Sequence, residues 1–227
     1  MVKPLIYPRI YLDAASLADM ERYRVKVDGF TTNPSLMKKA GVTRYRDFAK
    51  TVLDIVGDKP VSFEVLADDD DTVKHQAREI SSWGANVYVK IPILNLAGWQ
   101  QGALIYDLSG EGIKLNITAI FTAEQVTIAA ENLIGDDHII SVFAGRIFDT
   151  GTDPRAIVRY AVRKHANVLW ASARQVFDVV LAEHAGAHII TLSPALIDKL
   201  PLRGKNLTEY SLDTVQQFHE DGKGIEF

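Results

Sequence analysis

The chain has 227 residues, 47% hydrophobic and 24% charged, with 8 prolines, 15 glycines, no cysteine and a formal net charge of −4. Disordered chains are poorer in apolar residues, so a globular protein is expected; the lack of cysteine excludes a disulfide framework, a thiolate nucleophile and a zinc–thiolate cluster, and predicts a cytoplasmic home. No apolar run approaches the ~18 residues of a membrane span, no Lys/Arg block marks a nucleic-acid surface, and Lys3, Pro4, Pro8 and Arg9 break the opening MVKPLIYPRIYLD before a secretory leader can form.

In chain order, eight short segments rich in Val, Ile, Phe or Tyr read as strands: Ile10–Ala14, Gly29–Asn33, Val61–Leu66, Asn86–Ile93, Lys114–Phe121, His138–Ala144, Asn167–Ser172 and His188–Ser193. Several are nearly continuous apolar runs, the pattern of parallel strands covered on both faces. Helical patterns lie between them. Asp69 to Trp83 brings Val73, Ala77, Ile80 and then Ala85 near helical spacing, and the run Asp68–Asp71 complements that helix's dipole. Thr122-Ala-Glu-Gln125 reads as a capping box before a helix to Leu133. Asp153-Pro154 supplies an N-cap and a proline at the first helical position before Ala156–His165, and a helix from Gln175 to Ala185 stops at Gly186.

Strand and helix thus alternate eight times, with strand starts about 25 residues apart from Ile10 to His188, somewhat tighter than the ~30 of a typical eightfold α/β barrel. No linker or composition shift interrupts them. The expected fold is α/β, a single (βα)8 TIM barrel domain over residues 1–227, with 207–227 a C-terminal helical extension. Leu212, Val215 and Phe218 give that tail a narrow apolar stripe that could close the base of the barrel. Trp83, Trp99 and Trp170 read as packing residues.

In such a barrel the chemistry lies at the C-terminal ends of the strands. Polar residues interrupt or close every apolar run: Asp13, Thr31-Thr32-Asn33, Glu64, Lys90, Asn116 with Thr118, Arg146, Ser172 with Arg174, and Thr191 with Ser193. Lys90, inside Val87-Tyr88-Val89-Lys90-Ile91-Pro92-Ile93, is out of place for a solvated lysine. Removing an ammonium from water disfavours its charged form, and a neutral amine attacks a carbonyl to form a Schiff base. The same position equally fits a lysine neutralised by a buried carboxylate, or one that snorkels to the rim. Asp13 fits a proton-transfer group or the N-cap of a helix beginning near Ser16. Glu64, flanked by Phe63 and Val65, points into the barrel as an ion-pair partner for Lys90 or a holder of water. Arg146 and Arg174 suit a phosphate ester or form surface ion pairs with Asp149 or Asp178. The histidines show no metal-ligand spacing, and no phosphate loop or G-x-G-x-x-G is present.

Several of these segments together resemble the transaldolase family. Asp28-Gly-Phe-Thr-Thr-Asn-Pro-Ser-Leu-Met37 is similar to a family signature around the second strand, and Val89-Lys-Ile-Pro92 to the segment bearing its Schiff-base lysine. Leu115-Asn-Ile-Thr-Ala-Ile-Phe-Thr122, Phe143-Ala-Gly-Arg146 and Trp170-Ala-Ser-Ala-Arg174 match further motifs in order, from about Ile10 to Phe218. The likeness is to the small, single-domain branch that holds short transaldolases and fructose-6-phosphate aldolases.

The resemblance implies a barrel enzyme that acts on sugar phosphates with no metal or organic cofactor; no nucleic-acid or membrane partner is expected, from the charge and hydropathy pattern above. It implies Lys90 as nucleophile, Asp13 as the group that moves the C4 hydroxyl proton, and Glu64 and Thr118 as holders of the relay water. Asn33 and Asn116 would hold the dihydroxyacetone hydroxyls, and Arg146, Ser172 and Arg174 the phosphate; Thr32, Ser35 and Phe143 complete the implied substrate-binding set. The aldolases of the branch resemble one another in having glutamine at the position of Glu64 and tyrosine at that of Phe143, so transfer is favoured over cleavage here. A lyase releasing free dihydroxyacetone and a non-catalytic sugar-phosphate binder are the other readings. Ile93-Leu94-Asn95, Val142 and Phe148 depart from the pattern of many relatives. By the same resemblance the chain is expected to form a homo-oligomer, a pentamer or decamer.

Overall fold

The β-branched and aromatic runs become strands for the reason their composition implies: such side chains fit a pleated surface buried on both faces. They form β1 (Arg9–Asp13), β2 (Gly29–Thr31), β3 (Val61–Glu64), β4 (Val87–Pro92), β5 (Leu115–Ile120), β6 (Ile139–Val142), β7 (Val168–Trp170) and β8 (Ile189–Leu192). All pair in parallel in sequence order, and β8 returns to β1 through Ile189↔Arg9 to Leu192↔Leu12, closing the barrel. This computed structural model describes residues 7–226. The leader reading leans on residues 1–6, which with residue 227 of the tail lie outside the described residues.

The connections carry α1 (Leu17–Tyr23), α2 (Pro34–Lys39), α3 (Tyr45–Val56), α4 (Asp70–Ser81), α5 (Gly102–Gly110), α6 (Ala123–Asn132), α7 (Ala144–Asp149), α8 (Arg155–Lys164), α9 (Phe177–Ala185), α10 (Pro194–Lys199) and α11 (Leu207–Asp221). Three of these exceed one helix per unit. The short α2, α7 and α10 begin directly after β2, β6 and β8, with Asn33, Phe143 and Ser193 at their N-caps. Those strands are therefore shorter than their sequence patterns, because the residues that close them leave the ladder to start a helix.

The predicted caps are largely present. Asp69 accepts from the Thr72 N–H at 2.9 Å with Asp70 and Asp71 in the first turn of α4. Asp68 instead accepts from the Leu96 N–H at 2.7 Å, and Ala85 lies beyond the end of α4. Thr122 and Gln125 form the capping box of α6 in both directions. At α8 the proline is itself the N-cap, and the Asp153 carboxylate accepts from the Arg155 N–H at 2.9 Å. α9 starts at Phe177 rather than Gln175, since the Gln175 N–H is drawn to Asp178; it ends, as expected, at Gly186 in the left-handed region.

The two faces of the strands pack against different things. Outward residues such as Leu12, Phe30, Phe63, Val89, Ile91, Ile140, Trp170 and Ile190 join the helices in the main core. Each such side chain contributes ~1.5–3 kcal/mol by burial. The alternate residues Tyr11, Ile139, Leu169, Ala171 and Ile189, with Tyr88 and Phe143 against them, form a second cluster inside the barrel. Tyr11 needs the glycine opposite it in register: a Cβ on Gly29 would lie 2.6 Å from the ring.

Two further sequence expectations fail. Trp83 and Trp170 pack in the core, but Trp99 is 73% exposed on the loop after β4, inside the turn closed by the Leu94↔Gln100 bridge. The α11 stripe does not close the barrel's base: Leu212, Val215 and Phe218 are 57%, 60% and 68% exposed, and no residue of α11 is buried.

Candidate active site

Above the apolar cluster the inward positions turn polar on most strands, where two residues further along a polar side chain takes the next place on the same face; β7 is the exception, with Ala171 following Leu169. Register lines them up across neighbouring strands: Asp13 beside Thr31, Thr31 beside Ser62, Glu64 beside Lys90, and Lys90 beside Asn116. A cavity of about 580 Å³ opens here, toward the C-terminal ends of the strands. Its acids, Asp13 and Glu64, come from β1 and β3. Its cations are Lys90 of β4, Arg146 of α7 and Arg174 of the loop before α9.

Lys90 is 6% exposed, and two acceptors fix its ammonium. Glu64 Oε2 lies 2.9 Å from Nζ, and Nζ donates to the Thr32 carbonyl, also at 2.9 Å. The carboxylate expected from sequence as an ion-pair partner is therefore Glu64, within the cavity rather than behind it. Tyr45 of α3 donates to the Glu64 carbonyl at 2.9 Å, tying the end of β3 to the helix layer.

Asp13 is not a helix cap; Ser16 fills that role, accepting from the Asp19 N–H. The Asp13 carboxylate accepts instead from the Thr31 hydroxyl at 2.8 Å. Burial pushes its carboxyl above the ordinary range; Lys90 and the Thr31 hydrogen bond oppose that rise, and the Glu64 charge adds to it. A carboxyl so placed is suited to taking up and returning a proton.

On the far side Asn116 is held from both neighbours. Its amide donates to Ser62 Oγ at 3.0 Å, and its carbonyl accepts from Ser141 Oγ at 2.6 Å. Two residues on, the buried Thr118 hydroxyl has no hydrogen-bond partner among the described residues, so it is available to a water or substrate hydroxyl. Next to it Ala119 has φ of 57°, where the β5–β6 register shifts. Such irregularities re-aim side chains beside active sites.

The two arginines come from segments that touch, α7 and the loop before α9. The Gly145 N–H donates to the Ala171 carbonyl at 3.2 Å, and a Cβ on Gly145 would fall 1.5 Å from the Ser172 carbonyl oxygen. Only glycine permits that approach. Ser172 has φ of 63°, and buried Asp178 accepts from the Arg174 N–H at 2.6 Å, which together shape the segment carrying Arg174. The Arg174 guanidinium pairs with Asp149 of α7 at 2.6 Å, the ion pair anticipated from sequence, while still lining the cavity. The Arg146 guanidinium lies over the Phe143 ring, 5.3 Å from its centroid.

Of the residues singled out in the sequence, Asp13, Asn33, Ser35, Glu64, Lys90, Asn116, Thr118, Phe143, Arg146, Ser172 and Arg174 all line this cavity. Asn33 does so while its Oδ1 caps α2, accepting from the Leu36 N–H at 2.9 Å, which leaves its amide to donate. Thr32 does not line it: its hydroxyl donates to the Ser62 carbonyl, and its own carbonyl holds Lys90. Sequence reasoning missed Ser62 and Ser141, and named Thr31 and Thr191 without assigning them a place in the site. Counting two residues back from Glu64, Phe143 and Ser193, and from Asn33 to Thr31, would have found all four.

Comparison with known proteins gives a consistent result. The family described as Transaldolase/Fructose-6-phosphate aldolase matches residues 10–227. "Probable transaldolase 2" of Listeria monocytogenes is 34% identical over 219 residues, covering 90% of this chain and 95% of the relative. "Probable transaldolase" of Herpetosiphon aurantiacus is 33% identical over 222 residues (92% and 95%), and that of Methanococcus maripaludis 33% over 218 residues (90% and 96%). With a closed eight-stranded parallel barrel and a buried lysine lining its cavity, the chain belongs to the transaldolase/fructose-6-phosphate aldolase family.

Proposed function

We propose that the protein is a transaldolase that moves a dihydroxyacetone unit from a ketose phosphate, such as fructose 6-phosphate or sedoheptulose 7-phosphate, to an aldose phosphate. The observation that carries this reading is the buried amine of Lys90, held 2.9 Å from Glu64 and sharing its cavity with Asp13.

Glu64 takes the ammonium proton, directly or through a water shared with Thr118, and the free amine attacks C2 of the ketose. Loss of water gives the iminium. Asp13 removes the C4 hydroxyl proton, the C3–C4 bond breaks, and its electron pair passes to the iminium nitrogen as the enamine while the aldose phosphate leaves. C3 of the enamine then attacks the acceptor aldehyde, Asp13 returns its proton to the new alkoxide, and water hydrolyses the imine to free Lys90. Asn33 and Asn116 hold the hydroxyls of the three-carbon unit; Thr32, through its carbonyl, Ser35 and Phe143 shape its surroundings. Arg146, Ser172 and Arg174 bind the phosphate, with Arg174 exchanging Asp149 for it.

Phe143 favours transfer. A phenyl ring cannot donate a proton to the enamine carbon, so the intermediate waits for an acceptor. The reading includes a cytoplasmic setting, in keeping with the cysteine-free composition. It also includes a homo-oligomer in which the exposed stripe of α11 is covered by a neighbouring subunit.

Incubation with fructose 6-phosphate followed by borohydride reduction should leave a three-carbon adduct on Lys90, and Lys90→Met should not acquire it. Turnover should require erythrose 4-phosphate. Dihydroxyacetone accumulating equally fast without the acceptor would make the protein a lyase; absence of the adduct from folded protein would leave a sugar-phosphate binder.

A further inference from the structure

The base assigned above to Asp13 is not held by one hydrogen bond alone. Thr31 Oγ1 lies 2.8 Å from Asp13 Oδ1 and 2.6 Å from Thr191 Oγ1, so β8, β2 and β1 are linked by a chain of two hydroxyls ending on the carboxylate. Both threonines are almost fully buried and both line the cavity. Closure of the barrel makes the chain possible, because Thr191 is the register partner of Tyr11, two residues before Asp13 on β1.

Each hydroxyl carries one proton, and an ionised carboxylate can only accept. The Thr31 proton must therefore point to Asp13, and the bond between the two threonines must be donated by Thr191. The direction of the chain is fixed: Thr191 to Thr31 to Asp13 Oδ1. A charged acceptor strengthens the first bond, and the second polarises it further. With Oδ1 occupied, a proton taken from substrate goes to Oδ2. A proton on Oδ1 would reverse both bonds and leave the Thr191 hydroxyl without its acceptor.

We propose that Thr191 is a positioning residue of the reaction, which through Thr31 orients the Asp13 carboxylate and keeps it ionised with Oδ2 as the working oxygen. This rests on the reading of Asp13 as the proton-transfer group. The charged groups that share the cavity with Asp13 are Glu64 from β3, Lys90 from β4, and Arg146 and Arg174 from beyond β6 and β7; on its own strand Tyr11 lies two residues back. None of them is altered by a substitution at Thr191, so a difference between variants reports the hydroxyl chain.

The test is the pH profile of kcat and kcat/KM for transfer from fructose 6-phosphate to erythrose 4-phosphate in wild type, Thr191→Val, Thr191→Ala, Thr191→Ser and Asp13→Asn. Valine keeps the shape and removes the hydroxyl. It should lower kcat about three- to tenfold with KM nearly unchanged, and move the acid limb to higher pH. Alanine should do the same, which keeps the test valid if valine impairs folding. Serine should stay within about twofold of wild type. A Thr191→Val or Thr191→Ala profile that coincides with wild type, or a Thr191→Ser variant as slow as they are, overturns the relay while Asp13→Asn remains inactive. An Asp13→Asn variant as active as wild type overturns the base assignment, and the relay with it.

Discussion

In the proposed reaction a single side chain, Asp13, serves chemistry at the expense of stability. Its carboxyl is raised above the ordinary range, chiefly by burial. A group raised in this way binds its proton more tightly folded than unfolded. Its contribution is thus fully present below the unfolded pKa near ~3.9 and is lost as pH rises through the folded value. At neutral pH the ionised Asp13 therefore weighs against folding. Asn at this position keeps an oxygen to accept from Thr31 and carries no charge. Asp13→Asn should show a higher Tm than wild type at pH 7 and a smaller gain at pH 4, while losing turnover; an equal or lower Tm at pH 7 would contradict this. Glu64 and Lys90 differ from Asp13 in being paired. Each supplies the counter-charge the other needs at 2.9 Å, and removing one leaves the other uncompensated.

At the scale of elements, the site depends on where strands stop. β2, β6 and β8 each give way at once to a short helix, and the residues at those junctions, Asn33, Phe143 and Ser193, all line the cavity. The junction after β6 carries the tightest constraint. Gly145 approaches the Ser172 carbonyl so closely that any Cβ must move backbone, and this contact brings α7, with Arg146, against the segment that carries Arg174. Gly145→Ala should separate α7 from that segment. We expect KM for phosphorylated donor to rise about tenfold or more while an unphosphorylated ketose is affected much less, with a loss of ~1–3 kcal/mol in stability from overpacking. Steady-state kinetics with both donors and a urea melt measure the two effects; an equal loss for both donors would show that the contact does not serve the anion subsite. The sequence marked this glycine only as part of a motif, because its constraint comes from a carbonyl 27 residues away.

For the whole molecule, barrel closure leaves no free sheet edge, and α11 remains outside it with no buried residue. Exposed Leu207, Leu212, Val215 and Phe218 on one helix are more apolar surface than such a helix needs in water. Deleting the chain from residue 207 onward should remove only that helix's share of the far-UV ellipticity, since the barrel does not lean on it. The same deletion should lower the mass in light scattering to that of one subunit. If the full-length chain already has the mass of one subunit, the oligomer reading fails.

Much of this could be read from residue order alone. Eight doubly buried strands, their spacing, the capping box at Thr122 and the stop at Gly186 are local patterns, and local backbone and burial preferences enforce them. Lys90 also stood out, since an ammonium inside an apolar run conflicts with its neighbours. The structure alone decided what each polar residue meets on the face it shows. Thr32 and Thr31 are adjacent in the chain, yet one turns to the Ser62 carbonyl and the other to Asp13. Trp99 and the α11 stripe looked like core and are not. Sequence determines that a side chain must be buried or paired. Its partner is fixed by register and closure, which bring Thr191 of the last strand to within 2.6 Å of Thr31 of the second.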